Sequence, residues 1–423
     1  MKLDIIREKI GENVHFTGIT DSRYKTNLIT INFINNLSLD TASANALTAY
    51  LIDKSNSEYP QYDEFARFMS GMYKAEIYSS ISTFGNAQII TVSGSAIDNK
   101  YALDNENLSM ELCNSLCDCV FSPATENGAF IDDRFETERK NLIDDINASI
   151  NEKRIYAVNR ANEIMFSGQP CGLAKNGNVD TASALTNAKT FELYKKLINE
   201  SKVEIIFIGC GAFDDIKQYI KDKFDSLSGE RNTDILPVNT EIDGSLKEVT
   251  DIFNVVQSKM VLGFKSNDYK EAPMTVMSAL YGGTPSSKLF KNVREKLSLC
   301  YYCASRANKA TSSLKVDCGV ESENIEKART EILHQLELMC SGDITDDEVS
   351  ETKLALINAL KGTADSPSGL SAWYLTRILS GDLLTPDEQI ERIKAVTKEE
   401  IIKSAQSLTL DTVYVLTGEA SDE

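Results

Sequence analysis

The second half of this chain repeats the first half, element by element and in the same order. Seven stretches of the first half have a counterpart in the second, and chance matching rarely keeps an order over so many elements. The offset between matched residues falls from 233 (Ala46 to Ala279) to 209 (Gly209 to Gly418), so the second copy is the shorter one. The matched stretches are 33–36 with 260–267, 45–47 with 278–280, 64–74 with 288–297, 89–94 with 314–319, 105–121 with 323–340, 132–166 with 345–361 and 203–209 with 412–418.

Each copy has the same predicted succession of elements: a strand, two helices, two strands, a helix, a long helix, a further helix and a closing strand. Residues 27–34 are β-rich, for example, and residues 41–53 carry small and apolar side chains at helical spacing. The succession predicts an α+β fold of two homologous α/β half-domains, each a mostly antiparallel sheet covered on one face by helices. We place the domains at residues 1–227 and 252–423. Residues 228–251 contain Gly and Pro and little apolar periodicity, which predicts a linker.

The composition restricts the partners and the compartment. The net charge is −19 with a pI near 4.7, and a surface of that sign repels nucleic-acid phosphates and anionic membranes. The sequence has no apolar run of about 18 residues, so no membrane span is predicted. Charges interrupt the N-terminal residues, which therefore lack the apolar core of a signal peptide. The nine cysteines are scattered, which is typical of reduced thiols. We expect a cytoplasmic protein that binds neither nucleic acid nor membrane.

Three motifs point to a known family. Residues 281–302 contain a Gly-Gly turn, a Ser-Ser step, a Leu-Phe pair, the run Val-Arg-Glu-Lys-Leu and a tyrosine. This stretch resembles the C-terminal signature of the insulinase/pitrilysin peptidases. Residues 135–145 are similar to the Glu-x-Glu-Arg helix of that family, and residues 171–185 are similar to the glycine-containing segment after it. Together with the duplication, the resemblance covers nearly the whole chain.

The resemblance implies two half-shells that form a clamshell around a cavity. In the family, one half holds zinc on an inverted motif, His-x-x-Glu-His, with two histidines one helical turn apart as ligands. The glutamate of the motif activates the bound water, and a distant glutamate on the long helix is the third protein ligand.

The second half is implied to help bind an extended peptide. Arg294 and Tyr301 match the arginine and tyrosine that assist at the active site, where they would contact a backbone carbonyl group. The alternative is an ordinary solvated arginine and a core tyrosine. The strand near residues 76–82 would be the edge that a peptide extends by strand addition.

The chain departs from the family where the metal would bind. Residues 41–53 contain neither histidine nor glutamate, and the chain has only two histidines, His15 and His334, both outside that helix. The third-ligand position maps to Asp145, with Asp144 as the neighbouring alternative. One carboxylate cannot hold zinc in a site that takes three protein ligands. We therefore expect no catalytic residue, no zinc and no other metal, with Asp145 as the vestige of a ligand position.

Cysteines are the remaining candidates for metal ligands. Cys113, Cys117 and Cys119 lie on a predicted helix among leucines, which favours the core. Cys300 and Cys303 form a C-x-x-C pair in a predicted strand, and that spacing directs two side chains to opposite faces. We therefore expect all five to be core residues rather than ligands.

These observations lead to three hypotheses about function. The first is a pseudo-peptidase subunit that pairs with an active zinc peptidase of the family and helps to bind an extended peptide. The chain resembles the short bacterial inactive members that are paired with an active one, including the pair associated with modification of elongation factor P. The second is a metallopeptidase that uses an unrecognised metal or a partner's ligands. The third is a structural or peptide-binding subunit unrelated to proteolysis, like the inactive relatives in respiratory complexes. Self-association is the alternative to pairing with an active relative.

Overall fold

The computed structural model of the protein describes residues 4–231 and 234–418, most of which lie in helices or strands. The strands are β1 (Asp4–Gly11), β2 (Val14–Thr20), β3 (Thr26–Asn36), β4 (Glu76–Phe84), β5 (Ala87–Ile97), β6 (Thr125–Glu126), β7 (Ala129–Phe130), β8 (Lys202–Gly209), β9 (Lys247–Ile252), β10 (Ser258–Ser266), β11 (Cys300–Asn308), β12 (Ser313–Val320) and β13 (Leu408–Thr417). The helices are α1 (Leu39–Ile52), α2 (Tyr62–Gly71), α3 (Leu108–Phe121), α4 (Asp132–Asn151), α5 (Lys153–Met165), α6 (Val179–Ser183), α7 (Asn187–Glu200), α8 (Asp214–Asp225), α9 (Glu271–Ser278), α10 (Ile325–Ser341), α11 (Asp346–Thr363), α12 (Pro367–Leu379), α13 (Pro386–Ala395) and α14 (Lys398–Gln406). Two π-helical segments, Ala279–Gly283 and Leu289–Lys296, come after α9.

The two large sheets have the same topology. The first sheet has the strand order β1-β2-β8-β3-β5-β4, in which the β2–β8 pair is parallel and the other pairs are antiparallel. The second sheet has the order β11-β12-β10-β13-β9, in which the β13–β9 pair is parallel and the others are antiparallel. Starting from β4 and from β11, counterpart strands follow in the same order, with the parallel pair at the same place. The predicted α+β fold of two homologous, mostly antiparallel halves is confirmed.

The chain divides into two compact units, and each takes one segment from the other half of the sequence. The first unit contains the described residues up to Asn147, together with Leu173–Pro237 and Thr363–Leu383. The second unit contains Ala148–Gly172, Val238–Gly362 and the described residues from Leu384 onward. The domain boundaries at residues 227 and 252 stay a prediction.

In the first unit, helices cover both faces of the sheet. Helices α1, α3, α7 and α8 pack on one face, and apolar side chains from both layers form the main core. Helix α12, which belongs to the second copy of the duplicated sequence, packs on the other face. Its Leu370 and Tyr374 are fully buried with Ile19, Ile206 and Ile208 of the sheet. A sheet with apolar side chains on both faces needs such a second cover to remove them from water.

The second unit has the corresponding arrangement. Helices α9, α10 and α14 pack with the sheet around one apolar core. On the opposite face lies α5, which comes from the first copy of the duplicated sequence. Its Ala157 and Ala161 are buried with Val261, Tyr414 and Leu416. Small alanine side chains on this face of α5 let the helix axis approach the sheet closely.

The structure adds two features to the predicted succession of elements. Strands β1 and β2 precede the first strand that the sequence predicted. Charged and apolar residues alternate in β1, which is the pattern of a half-exposed edge strand. The long helix predicted over 132–166 is two helices, α4 and α5, separated at Glu152, whose ψ of 79° is not helical. Asn and Ser residues precede this break, and their side chains compete for backbone hydrogen bonds. None of the described helices is both long and apolar enough to cross a bilayer.

A buried carboxylate organises the outer half of the first sheet. Glu204 of β8 is fully buried and accepts two hydrogen bonds from Arg7 of β1, at 2.7 and 2.9 Å. Lys202 and His15 also approach Glu204, at 3.8 and 3.7 Å. Burial lowers the pKa of His15, so its imidazole adds little positive charge to this group. Arg7 is therefore the main partner of a charge that has left water.

Replacing Arg7 by Ala removes this main partner and leaves the Glu204 carboxylate buried. We expect the free energy of unfolding to fall by about 3 kcal/mol, as measured by urea unfolding. The matched control is Arg67→Ala, which breaks an exposed pair with Asp63 on α2 and should cost less than about 1 kcal/mol. Equal losses in the two variants would contradict the role assigned to Arg7.

Candidate functional site

Helix α1 and helix α4 meet where the resemblance places the zinc of the family. The hydroxyl group of Tyr50, near the end of α1, donates a hydrogen bond of 2.5 Å to Oδ2 of Asp145 on α4. Burial, and then the bond to Asp145, raises the pKa of Tyr50, so the phenol stays protonated and acts as the donor. Ala46, one turn before Tyr50, and Ala49 are fully buried. The side chains that face Asp145 from α1 thus offer a phenol and methyl groups instead of imidazoles.

A second carboxylate of α4 also has protein partners. Glu138 is almost fully buried and accepts hydrogen bonds from Lys54 at 2.8 Å and from Tyr62 at 3.3 Å. Asn141 donates a further hydrogen bond of 2.9 Å to its other oxygen. The ammonium group of Lys54 therefore supplies the positive charge that a buried carboxylate requires.

These residues do not fit the zinc that the fold family implies. A zinc peptidase site has three protein ligands and an open position for water, and the ligands must be free of protons. Here Asp145 is the single carboxylate at the predicted position, and its partner is a protonated phenol. The two histidines lie elsewhere. His15 of β2 is beside Glu204 of β8, and His334 is exposed on α10 beside Glu337.

Arg294 and Tyr301 lie on the wall of one pocket in the second unit. The pocket has a volume of about 400 Å³. Arg294 stacks over the ring of Phe290, 4.7 Å from its centroid, and Tyr301 is 57% exposed and donates a hydrogen bond to Glu321. That hydrogen bond raises the pKa of Tyr301. The lining residues are Arg294, Glu295, Ser298, Leu299, Cys300, Tyr301, Glu321 and Asn324.

A β-bulge in β11 directs Tyr301 into this pocket. Cys300 pairs with Val320 of β12, and Tyr302 pairs with Gly319, so Tyr301 is the extra residue of the bulge. Side chains alternate along a regular strand, and one extra residue shifts this alternation by one position. The bulge therefore turns Tyr301 outward. It also reverses the face to which Cys300 points relative to the residues from Tyr302 onward, compared with a regular strand.

The same bulge makes the predicted opposite orientation of Cys300 and Cys303 wrong, although both are buried in the core as expected. The two side chains point to the same face, because the extra residue cancels the alternation that would have separated them. Cys303 stands directly opposite Cys318 of β12. The sulfur atoms of Cys300, Cys303 and Cys318 all lie within 4.8 Å of one another, and the three residues are buried. Hydrogen bonds from Cys303 and Cys318 lower the pKa of Cys300, and the same hydrogen-bonded contacts with Cys300 raise the pKa of its two partners.

The other cysteine group behaves as the sequence predicted. Cys113, Cys117 and Cys119 are fully buried in the apolar core of the first unit. Hydrogen bonding with Cys113, together with burial, raises the pKa of Cys117. Among the described residues, the sulfurs of Cys113, Cys117 and Cys119 do not all lie close enough to one another to share a metal ion.

Strand β4, the predicted edge for peptide addition, is the last strand of the first sheet. Two side chains already form hydrogen bonds with backbone groups on its outer edge. The backbone N–H of Ser79 donates to Asp53 at 2.9 Å, and Lys175 donates to the carbonyl oxygen of Ile81 at 2.7 Å. Outward-facing groups recur at every second residue of an edge strand, so these two contacts block neighbouring positions of the ladder.

The comparisons with known proteins agree with this site. Residues 184–356 match the family described as "Peptidase M16 inactive domain". The "Probable inactive metalloprotease YmfF" of Bacillus subtilis strain 168 is 28% identical over 406 residues, which is 95% of each chain. A conserved protein from Enterococcus faecalis V583 has a crystal structure with a TM-score of 0.91 and 25% identity, covering 99% of this chain and 100% of that one. The peptidase M16 inactive domain from Pseudomonas fluorescens has a TM-score of 0.78 at 14% identity, covering 100% and 99%.

Two α+β halves of this topology define a peptidase-like fold, in which the helix of residues 39–52 lacks the His-x-x-Glu-His motif. The chain is similar to the insulinase/pitrilysin peptidases, also called the M16 peptidases, and the similar proteins include ones described as inactive. The predicted resemblance is confirmed.

The partners of the α4 carboxylates Asp145 and Glu138 were not predicted from the sequence. Tyr50 and Lys54 are four residues apart, the spacing that places two side chains on one side of a helical turn. Asp145 and Glu138 are seven residues apart on α4, which also places them on one face. These two spacings are the sequence signal for the contacts between the two pairs of side chains. The signal can be interpreted only when α1 and α4 are known to be neighbours.

With Tyr50 in the place of the second histidine, the spacing of His-x-x-Glu-His puts Ala46 at the first histidine and Ala49 at the glutamate, and the burial of Ala49 predicts that a glutamate is not tolerated there. Ala49→Glu would bury a carboxylate without a partner, and we expect a loss of at least about 3 kcal/mol in the free energy of unfolding. Leu39→Glu is the control, since Leu39 is exposed at the start of the same helix, where an acidic residue is favourable. Urea unfolding of the two variants tests this expectation, and an Ala49→Glu protein as stable as the parent would contradict it.

Proposed function

We propose that the chain is a non-catalytic pseudo-peptidase subunit of the cytoplasm that pairs with an active zinc peptidase of its own family. The observation that carries the proposal is the hydrogen bond from Tyr50 to Asp145, which occupies the vestigial ligand position with a protonated donor. The buried Ala46 and Ala49 support it, because they leave no donor atoms on that side of α1. A chain built in this way has kept the fold of a peptidase and lost the chemistry of its metal.

In such a pair, the second unit is the part that helps to bind an extended peptide. Arg294 and Tyr301 present a guanidinium group and a phenol to the pocket. The guanidinium group is able to donate to a backbone carbonyl oxygen, and the phenol would do so after releasing its hydrogen bond to Glu321. Strand β4 is a poorer candidate, because Asp53 and Lys175 already occupy its outer edge. We therefore assign peptide contact to the pocket and not to strand addition at β4.

A cytoplasmic location is supported by the cysteines and by the charge. None of the nine cysteines, all of which lie within the described residues, takes part in a disulfide. Reduced thiols at this number are typical of a reducing compartment. The charge of −19 favours a soluble chain whose partner carries basic groups on the contact surface.

The first test is the metal content and activity of the purified chain. After incubation with Zn²⁺ and desalting, we expect less than about one zinc per ten chains at any site that uses Asp145. We also expect no chelator-sensitive cleavage of unfolded basic peptides. One zinc per chain that is lost in Asp145→Ala, or cleavage abolished by chelator, would show that the chain is a metallopeptidase instead.

The second test addresses the partner and the pocket. Co-expression with an active relative that carries His-x-x-Glu-His should give a one-to-one complex with peptidase activity. Arg294→Ala and Tyr301→Ala should leave the complex intact and lower kcat/KM by about tenfold, the effect of losing roughly 1.4 kcal/mol of binding. Arg306→Ala is the control, since Arg306 is exposed on the same strand outside the pocket lining.

The outcomes of the second test separate the remaining functions. If Arg294→Ala and Tyr301→Ala leave the kcat/KM of the complex unchanged, the chain is a structural subunit without peptide contact. A chain that only self-associates, and never binds the active relative, would contradict the proposed pairing.

A further inference from the structure

The three cysteines beside the pocket form a group that the peptidase-like fold does not use. Cys300 and Cys303 lie on β11 and Cys318 on β12, and the bulge at Tyr301 places all three sulfurs on one face. Three thiolates that share one ion at about 2.3 Å lie about 4.0 Å from one another. Starting from the observed limit of 4.8 Å, each sulfur therefore has to move toward the ion by at most about 0.5 Å.

The donor set determines which ion is suitable. Thiolates prefer soft cations such as Cu⁺ and Zn²⁺ over Mg²⁺ or Ca²⁺, which prefer oxygen. Zn²⁺ sites in proteins almost always have four ligands. In the part of the chain that the structure describes, no carboxylate or imidazole joins the three sulfurs within the same spacing. A three-sulfur set without a fourth protein donor favours Cu⁺.

The pocket supplies a route to the sulfurs. Cys300 is part of the pocket wall, and Cys303 and Cys318 lie behind it in the core. Glu295 and Glu321 are on the same wall, and their carboxylates attract a cation toward the opening. Arg294 lies on this wall as well and offsets part of the negative charge that three thiolates retain around a monovalent ion.

We propose that Cys300, Cys303 and Cys318 form a binding site for a thiophilic d¹⁰ cation, with Cu⁺ preferred over Zn²⁺. The bound ion joins β11 to β12 at the bulge and so steadies the backbone that presents Tyr301 to the pocket. This site does not depend on the proposed pairing with an active peptidase.

The experiment is a competition for Cu⁺ between the reduced, metal-free chain and a chromophoric Cu⁺ chelator under anaerobic conditions. We expect the chain to withhold about one Cu⁺, and Cys303→Ser or Cys318→Ala to weaken this binding at least about tenfold. The control is Cys113→Ala/Cys117→Ala, which removes two buried thiols of the first unit and should change nothing. If no Cu⁺ is withheld, or if the variants bind as the parent does, the site is wrong.

A second measurement uses the unaltered chain and does not depend on the folding of variants. In urea below the unfolding midpoint, where local opening exposes buried thiols, bound Cu⁺ should protect Cys300, Cys303 and Cys318 from alkylation by iodoacetamide, as read by mass spectrometry. Cys340, which is partly exposed on α10, should be alkylated equally with and without the ion. Unchanged alkylation of all four residues would overturn the site, and tighter binding of Zn²⁺ than of Cu⁺ at these cysteines would overturn the preference for Cu⁺.

Discussion

The close packing of α1 against the first sheet is the constraint on which the character of this protein depends. Every side chain from Ala42 to Ala49 is buried, and four of them are alanine. Small side chains let the helix lie close to the strands, and their methyl groups offer no atoms that could ligate a metal. Tyr50 extends a polar group from the helix to α4, where it donates a hydrogen bond to Asp145.

Three carboxylates near α1 have hydrogen-bond partners. A carboxylate that is buried without a partner destabilises a protein, which concerns Glu138 most, since Asp145 is exposed. Glu138 has Lys54, Asp145 has Tyr50, and Asp53 has the backbone and hydroxyl of Ser79. Each of these partners comes from α1, from the residues just after it, or from the neighbouring strand.

A single extra residue in β11 has effects on both sides of the second sheet. On the outer side it exposes Tyr301 beside Arg294, which gives the pocket its two donors. On the inner side it brings Cys300 into phase with Cys303 and Cys318. Bulges often redirect side chains near functional sites, and here one bulge links the pocket to the group of thiols.

The sequence by itself determined the duplication, the α+β class and the absence of the zinc motif. Order of elements and residue identity are local properties of the chain, so the helix of residues 41–53 could be judged without knowledge of its neighbours. Tertiary structure decided which groups meet: Tyr50 with Asp145, α12 and α5 with the second faces of the two sheets, and Cys318 with Cys300 and Cys303. These contacts depend on strand register and on helix placement. Register is a relation between distant segments, and one bulge residue reverses what the spacing C-x-x-C predicts.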